Sequence, residues 1–276
     1  MGNKRIAFLG PLGTYSHQVG LCYCFTRLFD DEAEFAVVPL ENSTNGSVNY
    51  TLDILRDIYH TDEVPIVKKK QIGIVAQEFV NINHCLITRA KDLTTVERVY
   101  SHPQVWGQCD RWYDQHLKGI ERIDVSSTSK AVELAKEDPN SAAIAGIAAA
   151  DVHQVPVLYP NISNSHDNQT RFLIFSKEKK EKLYRGDEYN TLVSFTVEHS
   201  TPGSLCKALE AFAKQNLNLV SIASRPRPLG ETPWTYVYFI ELHGHETDSA
   251  VMAALQNMQQ FCLQVRILGS FMRNRE

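Results

Sequence analysis

The sequence lacks the patterns that mark secreted, membrane-spanning and metal-binding chains. Its N-terminus has no cationic stretch followed by an apolar core, and no apolar run reaches the roughly 18 residues that a membrane helix needs. The six cysteines include no CxxC, and their spacings match no zinc pattern. We therefore expect free thiols in a reducing cytoplasm, with Cys22 and Cys24 buried.

Signatures of nucleic-acid and cofactor binding are missing as well. The 276 residues carry a formal net charge of −4 and no long basic run, so nucleic acid is not the expected main partner. No GxGxxG, GxSxG or Ser-His-Asp pattern supports dinucleotide binding or serine-hydrolase chemistry. With 43% hydrophobic and 22% charged residues, the chain has the composition of a globular protein with one large domain or two domains.

The order of the predicted elements divides the chain into two units. In the first unit, apolar strands alternate with amphipathic helices, which indicates an α/β sheet with a substantial parallel component. One of these helices is predicted to have Ser47 as its N-cap. After a charged linker, Lys177–Tyr189, the order is strand, helix, strand, strand, helix, strand, which is the ferredoxin-like arrangement. The predicted domains are residues 1–180 and 190–276.

Five polar loops of the first unit follow predicted strands. Ligands of open α/β sheets bind beyond the carboxyl ends of the strands, and the free N–H groups of adjoining helices attract anions. We therefore predict that the loops meet at one sheet edge and bind a small anion. Taken singly, each loop could be only a turn or a helix cap. The loops are Gly10–Gln18, Glu41–Ser47, Ser101–Gln104 with Gln108 one turn later, Ser126–Ser129 and Asn168–Phe172.

The ordered set of loop motifs resembles that of the prephenate dehydratase family over nearly the whole chain. The motifs are GPLGTYSHQ, VPLENSTNGSV, SHPQVWGQC, STSKA and NQTRF, followed by GSLCKALEAF, NLVSIASRP and ILGS, which look like an ACT regulatory domain. The resemblance implies two α/β lobes like those of periplasmic binding proteins, with a cleft between them. It also implies a lyase that removes carbon dioxide and water from prephenate without a cofactor, giving phenylpyruvate for L-phenylalanine biosynthesis.

The family motifs also imply site residues in this sequence. Thr170, in the TRF motif, takes the position of the catalytic hydroxyl, and we predict that it orients and relays a proton while fixed dipoles and positioning supply most of the rate. Arg171 could pair with a substrate carboxylate or with a protein acid such as Glu41. No metal site is predicted. The implied substrate-binding residues are Glu41, Asn42, Ser101 and Gln108, with Thr14, Ser16 and Thr128 as further candidates from their loops.

The second unit carries the candidate effector residues. Family members commonly have a glutamate where Ala223 stands, so the strength and sign of control by L-phenylalanine stay open. A second departure is Ser126, which stands where some members have a binding glutamate. Because ACT domains usually pair, we expect a homodimer or homotetramer. The implied effector residues are Pro202, Gly203, Ser204, Leu205, Ala223, Ser224, Arg225 and Pro226.

Three other functions fit parts of the pattern. Arogenate dehydratase performs the same chemistry on the aminated substrate, and no residue in the sequence separates the two. A non-catalytic amino-acid sensor would share the fold, but it has no need of a hydroxyl donor at Thr170. A secreted solute-binding protein is disfavoured by the missing signal peptide. No helical chorismate mutase segment precedes the first strand, so the expected enzyme is monofunctional.

Overall fold

The structure is a computed structural model that describes residues 5–8, 20–60, 72–165, 167–177, 188–227 and 234–273. Within these residues, the strands form one sheet of nine strands and one sheet of five. None of the described helices is both long and apolar enough to cross a membrane.

The first lobe begins with a parallel strand pair and two helices. Its elements are β1 Ile6–Phe8, α1 Gly20–Phe29, β2 Phe35–Asn42, β3 Gly46–Ser47, α2 Asn49–His60 and β4 Gly73–Asn81. Apolar residues at helical spacing, among them Leu52 and Leu55, bury one face of α2 in the core of this lobe. The prediction that Ser47 caps this helix is wrong, because Ser47 pairs with Glu41 in the sheet and the helix begins two residues later.

The second lobe is built around a strand that is buried along its whole length. Its elements are β5 His84–Thr88, β6 Arg98–Ser101, α3 Pro103–His116, β7 Glu121–Asp124, α4 Thr128–Glu137, β8 Ser141–Gly146, α5 Ile147–His153 and β9 Val157–Tyr159. The sheet order is β7-β6-β8-β5-β9, with β6 parallel to both of its neighbours. The small side chains of β8 allow close packing on both faces, since Ala143 and Ile144 belong to separate cores.

A late strand, β10 Gln169–Ser176, returns the chain to the first lobe. It lies between β2 and β4 and is antiparallel to both, so the sheets are mixed rather than largely parallel. Because of this return, the start of β10 lies beside the end of β2. The prediction that five loops meet at one sheet edge is wrong, because the described loops are divided between two sheets. The loop Gly10–Gln18 lies outside the described residues.

The C-terminal unit confirms the predicted ferredoxin-like order. Its elements are β11 Tyr189–Val197, α6 Ser204–Ala213, β12 Leu219–Pro226, β13 Tyr236–His243, α7 Ser249–Met258 and β14 Cys262–Met272. The strands pair antiparallel in the order β14-β11-β13-β12. Both helices cover the same face, where Phe212 and Met258 pack against Phe195 and Ile240.

The two units share one sheet through a corner at Gly269. This residue pairs with Ile74 where β14 runs parallel to β4, and its φ is +146°. A Cβ at Gly269 would lie 2.5 Å from the backbone nitrogen and oxygen of Ile74, so only glycine permits this approach. Four strand steps separate β10 from β13, about 19 Å in a flat sheet. Arg171 of β10 nevertheless contacts Glu241 of β13, so the sheet folds back at this corner.

The folded sheet encloses a core that belongs to both units. The face of the C-terminal sheet that lacks helices contributes Leu192, Val237 and Phe239, and these side chains pack in one cluster with Leu55 and Phe175 of the first lobe. The C-terminal unit is therefore covered by helices on one face and by the first lobe on the other. Any contact across this second face connects the two units directly.

Candidate active site

The end of β2 and the start of β10 bring the central polar residues together. Thr170 lies opposite Asn42 in the strand ladder, and Arg171 lies opposite Glu41. The other neighbour of Thr170 in the sheet is Val80 of β4. Thr170 is the second residue of β10 and only 8% of its surface is exposed, so its hydroxyl is positioned by a strand rather than by a loop.

Backbone contacts fix the orientation of the Asn42 amide. Its Oδ1 accepts hydrogen bonds from the backbone N–H groups of Thr44 and Asn45, each at 3.0 Å. Its Nδ2 therefore faces β10, where it donates to Thr170 Oγ1 at 3.0 Å and to Asn168 Oδ1 at 2.7 Å. Since the Thr170 oxygen accepts from Asn42, the Thr170 proton is free to point toward a ligand.

The chain of side-chain hydrogen bonds continues from the first lobe into the second. Asn168 Nδ2 donates to Gln108 Oε1 at 3.0 Å, and His84 Nε2 lies 3.0 Å from the same oxygen. An amide oxygen only accepts, so His84 must carry its proton on Nε2. Burial lowers the pKa of His84, although the Gln108 bond opposes that shift, and the ring is neutral near pH 7. The amide chain joins Thr170 to His84 across the two sheets.

Arg171 is held by protein carboxylates. Its Nη1 lies 3.3 Å from Glu41 Oε1, and its Nη2 donates to Glu241 Oε2 in the C-terminal unit. Arg171 is 8% exposed, whereas the Glu41 side chain is 40% exposed. Of the two pairings that the sequence left open, the structure contains the one with a protein acid.

The remaining predicted substrate residues lie at the end of a strand or the start of a helix in the second lobe, or outside the described residues. Ser101 ends β6 and is fully buried, and its hydroxyl donates to the carbonyl of Ile144 at 2.7 Å. Thr128 is the first residue of α4 and is buried. Thr14 and Ser16 fall outside the described part of the chain. The structure thus gathers Thr170, Asn42, Glu41, Arg171 and Gln108 but gives Ser101 a backbone partner.

Three residues of this network were missed in the sequence. Asn168 stands in the quoted NQTRF motif, and its position two residues before Thr170 was the available signal. His84 gave a weaker one, a polar side chain that opens the apolar strand HCLIT. Glu241 is a single acid in an apolar strand, and an acid in such a place must find a buried partner.

The candidate effector residues form two segments, Pro202–Leu205 and Ala223–Pro226. The first follows the end of β11 and the second ends β12, and both of these strand ends lie beside the start of β13. Gly203, with a φ of +82°, precedes α6, and Ser204 donates to Thr201 O at 2.9 Å. Arg225 Nε and Nη2 bind the two oxygens of Asp53 in α2, at 2.7 and 2.8 Å. Ala223 packs against the core that the two units share.

The end of β12 is connected through β13 to His199, which lies three residues before Pro202. Pro226 pairs with Tyr236 in the ladder, and the Tyr236 N–H donates to His199 Nε2 at 2.9 Å. The Pro226 carbonyl accepts from Arg56 Nη1 of α2 at 2.7 Å. Pro202 and Ser224 are exposed and Leu205 is half-buried, so both segments contribute accessible groups at this end.

Fold and site together define a two-lobed α/β protein with a buried network of polar side chains at the ends of β2 and β10 and a ferredoxin-like C-terminal unit. Residues 6–180 match the family profile described as prephenate dehydratase, and residues 191–258 match the ACT domain. The chain therefore belongs to the prephenate dehydratase family. These matches confirm the family, the two-lobed fold and the ACT domain that the motifs predicted.

Known relatives and solved structures support the same family. The bifunctional chorismate mutase/prephenate dehydratase of Aquifex aeolicus is 33% identical, with 97% of this chain and 73% of that protein aligned. A probable prephenate dehydratase of Saccharomyces cerevisiae is 32% identical over 87% of each chain. The crystal structure of prephenate dehydratase in complex with L-Phe from Arthrobacter aurescens is 30% identical, with a TM-score of 0.81 over 97% of this chain and 90% of that chain.

Proposed function

We propose that this protein is a carbon–oxygen lyase that converts prephenate into phenylpyruvate under the control of L-phenylalanine. In this reaction, the bond between the ring and its carboxylate breaks and releases carbon dioxide. The electron pair of that bond enters the ring and expels the ring hydroxyl, which leaves as water after it takes a proton. The formation of the aromatic ring drives the step, so no cofactor is required.

The observation that carries this proposal is the hydrogen bond that the Thr170 oxygen accepts from Asn42 Nδ2. The departing oxygen needs a donor, and Thr170 can donate because its own oxygen already accepts from Asn42. An isolated threonine hydroxyl is a weak acid, so its part is to orient and relay the proton. The rigid strand and the fixed amide chain supply the positioning.

Substrate binding is proposed for residues around this hydroxyl. Gln108 joins the Thr170 network from the second lobe through Asn168 and Asn42, and Glu41 contacts Arg171, the residue next to Thr170 on β10. Arg171 is buried between two carboxylates, so we assign it to holding Glu41 rather than to binding the substrate directly. Thr14, Ser16, Ser101 and Thr128 remain proposals from the family motifs.

Regulation is proposed for the C-terminal unit, with residues 1–180 as the catalytic domain and 190–276 as the ACT domain. A relative is described as a complex with L-Phe, and we propose that this chain binds the same effector. The proposed effector segments are Pro202–Leu205 and Ala223–Pro226. Glutamate is absent at position 223, so the polar contacts to the effector would come from the backbone and from Ser224.

A homodimer or homotetramer is proposed through the ACT domains. Strand β12 is at the end of the sheet order, and Val220 and Ile222 are exposed on it. An exposed apolar edge strand is a template for pairing with a second copy. Light scattering at micromolar concentration tests this proposal, and a monomer would contradict it. The cytoplasm remains the proposed location, on the ground of the cysteine spacings.

The experiment that tests the function is turnover of prephenate and of arogenate by the purified protein, with and without L-phenylalanine. We expect phenylpyruvate from prephenate and an L-phenylalanine effect on that rate. A preference for arogenate would change the substrate but keep the chemistry. No turnover of either compound, with binding of L-phenylalanine retained, would mean a sensor and would refute the catalytic proposal.

A further inference from the structure

Glu241 is a buried carboxylate of the C-terminal unit whose charge is balanced by the catalytic lobe. It lies on β13 with 0% of its surface exposed. Its Oε1 accepts from Asn190 Nδ2 at 2.6 Å, and its Oε2 accepts from Arg171 Nη2. A buried carboxylate needs a cation and further donors to hold its charge, so the position of Glu241 depends on Arg171.

Arg171 transfers this dependence to the candidate active site. It directly follows Thr170 on β10, and its other terminal nitrogen contacts Glu41. The Arg171 Nε is buried without a partner among the described residues, so Glu41 and Glu241 are the groups that fix the guanidinium. If Glu241 shifts, Arg171 must move with it or turn toward Glu41.

The candidate effector strand lies directly beside Glu241. In the ladder between β12 and β13, Ser221 pairs with Glu241 and Ala223 pairs with Phe239. Paired residues share a face of the sheet, so Ala223 and Glu241 face the first lobe together. A shift of β12 on effector binding therefore reaches Glu241 through one set of strand hydrogen bonds.

From this arrangement we propose that Glu241 is a positioning residue. It couples β12, which carries part of the proposed effector site, to β10, which carries Thr170, and the contact that links them is the one with Arg171. The inference rests on the proposed control by L-phenylalanine and names the contact that transmits it. Other junction contacts, such as Gln77 Nε2 to Met272 O at 3.1 Å, also join the units, but they involve neither Arg171 nor Thr170.

The test is the ratio of prephenate kcat/KM values without and with saturating L-phenylalanine, because a displaced Thr170 lowers the rate whether or not substrate binding changes. Glu241→Gln keeps the shape of the side chain and removes the charge that holds Arg171. In the native protein we expect a ratio of about fivefold or more, as for typical allosteric coupling, and in Glu241→Gln a ratio below about twofold. The matched control is Gln77→Met, which removes a buried junction contact and should keep the native ratio.

The outcomes separate this inference from the proposed function. A native ratio of one means that the proposed control fails, and the inference fails with it. A native response together with an equal response in folded Glu241→Gln overturns the inference alone. If Glu241→Gln does not fold, Glu241→Asp takes its place, because it keeps the charge but its carboxylate is one methylene short of Arg171. An unchanged ratio in folded Glu241→Asp overturns the inference as well.

Discussion

Replacing Asn42 with aspartate tests the direction of the Thr170 hydroxyl. An aspartate can still accept from the N–H groups of Thr44 and Asn45, as Asn42 Oδ1 does. Its second oxygen, however, would face Thr170 Oγ1, where the native Nδ2 donates at 3.0 Å. The hydroxyl would then donate inward to the carboxylate, and its proton would no longer be available to the leaving group.

The expected loss of rate is much larger than the expected loss of folded protein. Removal of a positioned proton donor lowers kcat by about 10²–10⁴-fold. The variant also loses the donated bond to Asn168 Oδ1 at 2.7 Å and places two acceptors together, which costs about 1–3 kcal/mol of unfolding free energy. A domain with about 5–15 kcal/mol of stability remains folded after such a loss, so unfolding does not explain a hundredfold fall.

The assay is steady-state formation of phenylpyruvate by Asn42→Asp, Thr170→Val and the double variant. If Asn42 acts by orienting Thr170, the double variant is no slower than Thr170→Val alone. The control is Asn81→Asp, because Asn81 Oδ1 only accepts from Gln169 Nε2 at 2.9 Å and an aspartate can do the same. Near-native kcat in Asn42→Asp, or additive losses in the double variant, would refute the reasoning.

Three further predictions concern stability and thiol reactivity. Burial lowers the pKa of His84 below its ordinary value of 6.5. Below about pH 6.5 the unfolded chain therefore binds a proton at His84 that the native state does not bind. The unfolding free energy should then fall as the pH falls, by up to about 1.4 kcal/mol per pH unit. Urea unfolding should show that the unfolding free energy depends more steeply on pH in the native protein than in His84→Gln. Equal pH dependence in the two proteins would contradict this prediction. Gly269→Ala should lower the unfolding free energy by about 3 kcal/mol, because its Cβ would clash with the Ile74 backbone. The control Gly107→Ala should not be destabilised, since a Cβ there meets nothing within 4 Å. Equal melting temperatures for the two variants would contradict the close approach of Gly269 to Ile74. Burial raises the pKa of Cys109 to about 12, so a thiol reagent followed by mass spectrometry should label exposed Cys206 first; equal rates would be inconsistent with this.

The sequence predicted local structure better than it predicted how the strands pair. The buried strand Ser141–Gly146 follows from its apolar run, and the βαββαβ order follows from the spacing of strands and helices. The contact between Asn42 and Thr170 joins residues 128 positions apart. It exists because β10 returns between β2 and β4, and no local periodicity reports such a return.

The polar residues show the same limit. Ser101 was predicted to bind substrate, yet in the structure its hydroxyl donates to the Ile144 carbonyl, a partner supplied by a neighbouring strand. The two readings of Arg171 were chemically equivalent in the sequence. The structure pairs Arg171 with Glu241 as well as with Glu41. Glu241 lies next to Arg171 only because the sheet folds back at Gly269.

The alternation of side chains along β10 explains how one strand can serve both units. Successive residues of a strand point to opposite faces, so Thr170 faces the amide network while Arg171 faces Glu241 of the ACT domain. A register irregularity between Arg171 and Phe172 separates these two residues from the rest of the strand. A displacement of the Arg171 backbone would therefore reach Thr170 through a single peptide unit. A displacement of about 1 Å in a catalytic group can cost a hundredfold in rate, so under the proposed coupling a motion of that size in the C-terminal sheet would be enough to change the turnover rate.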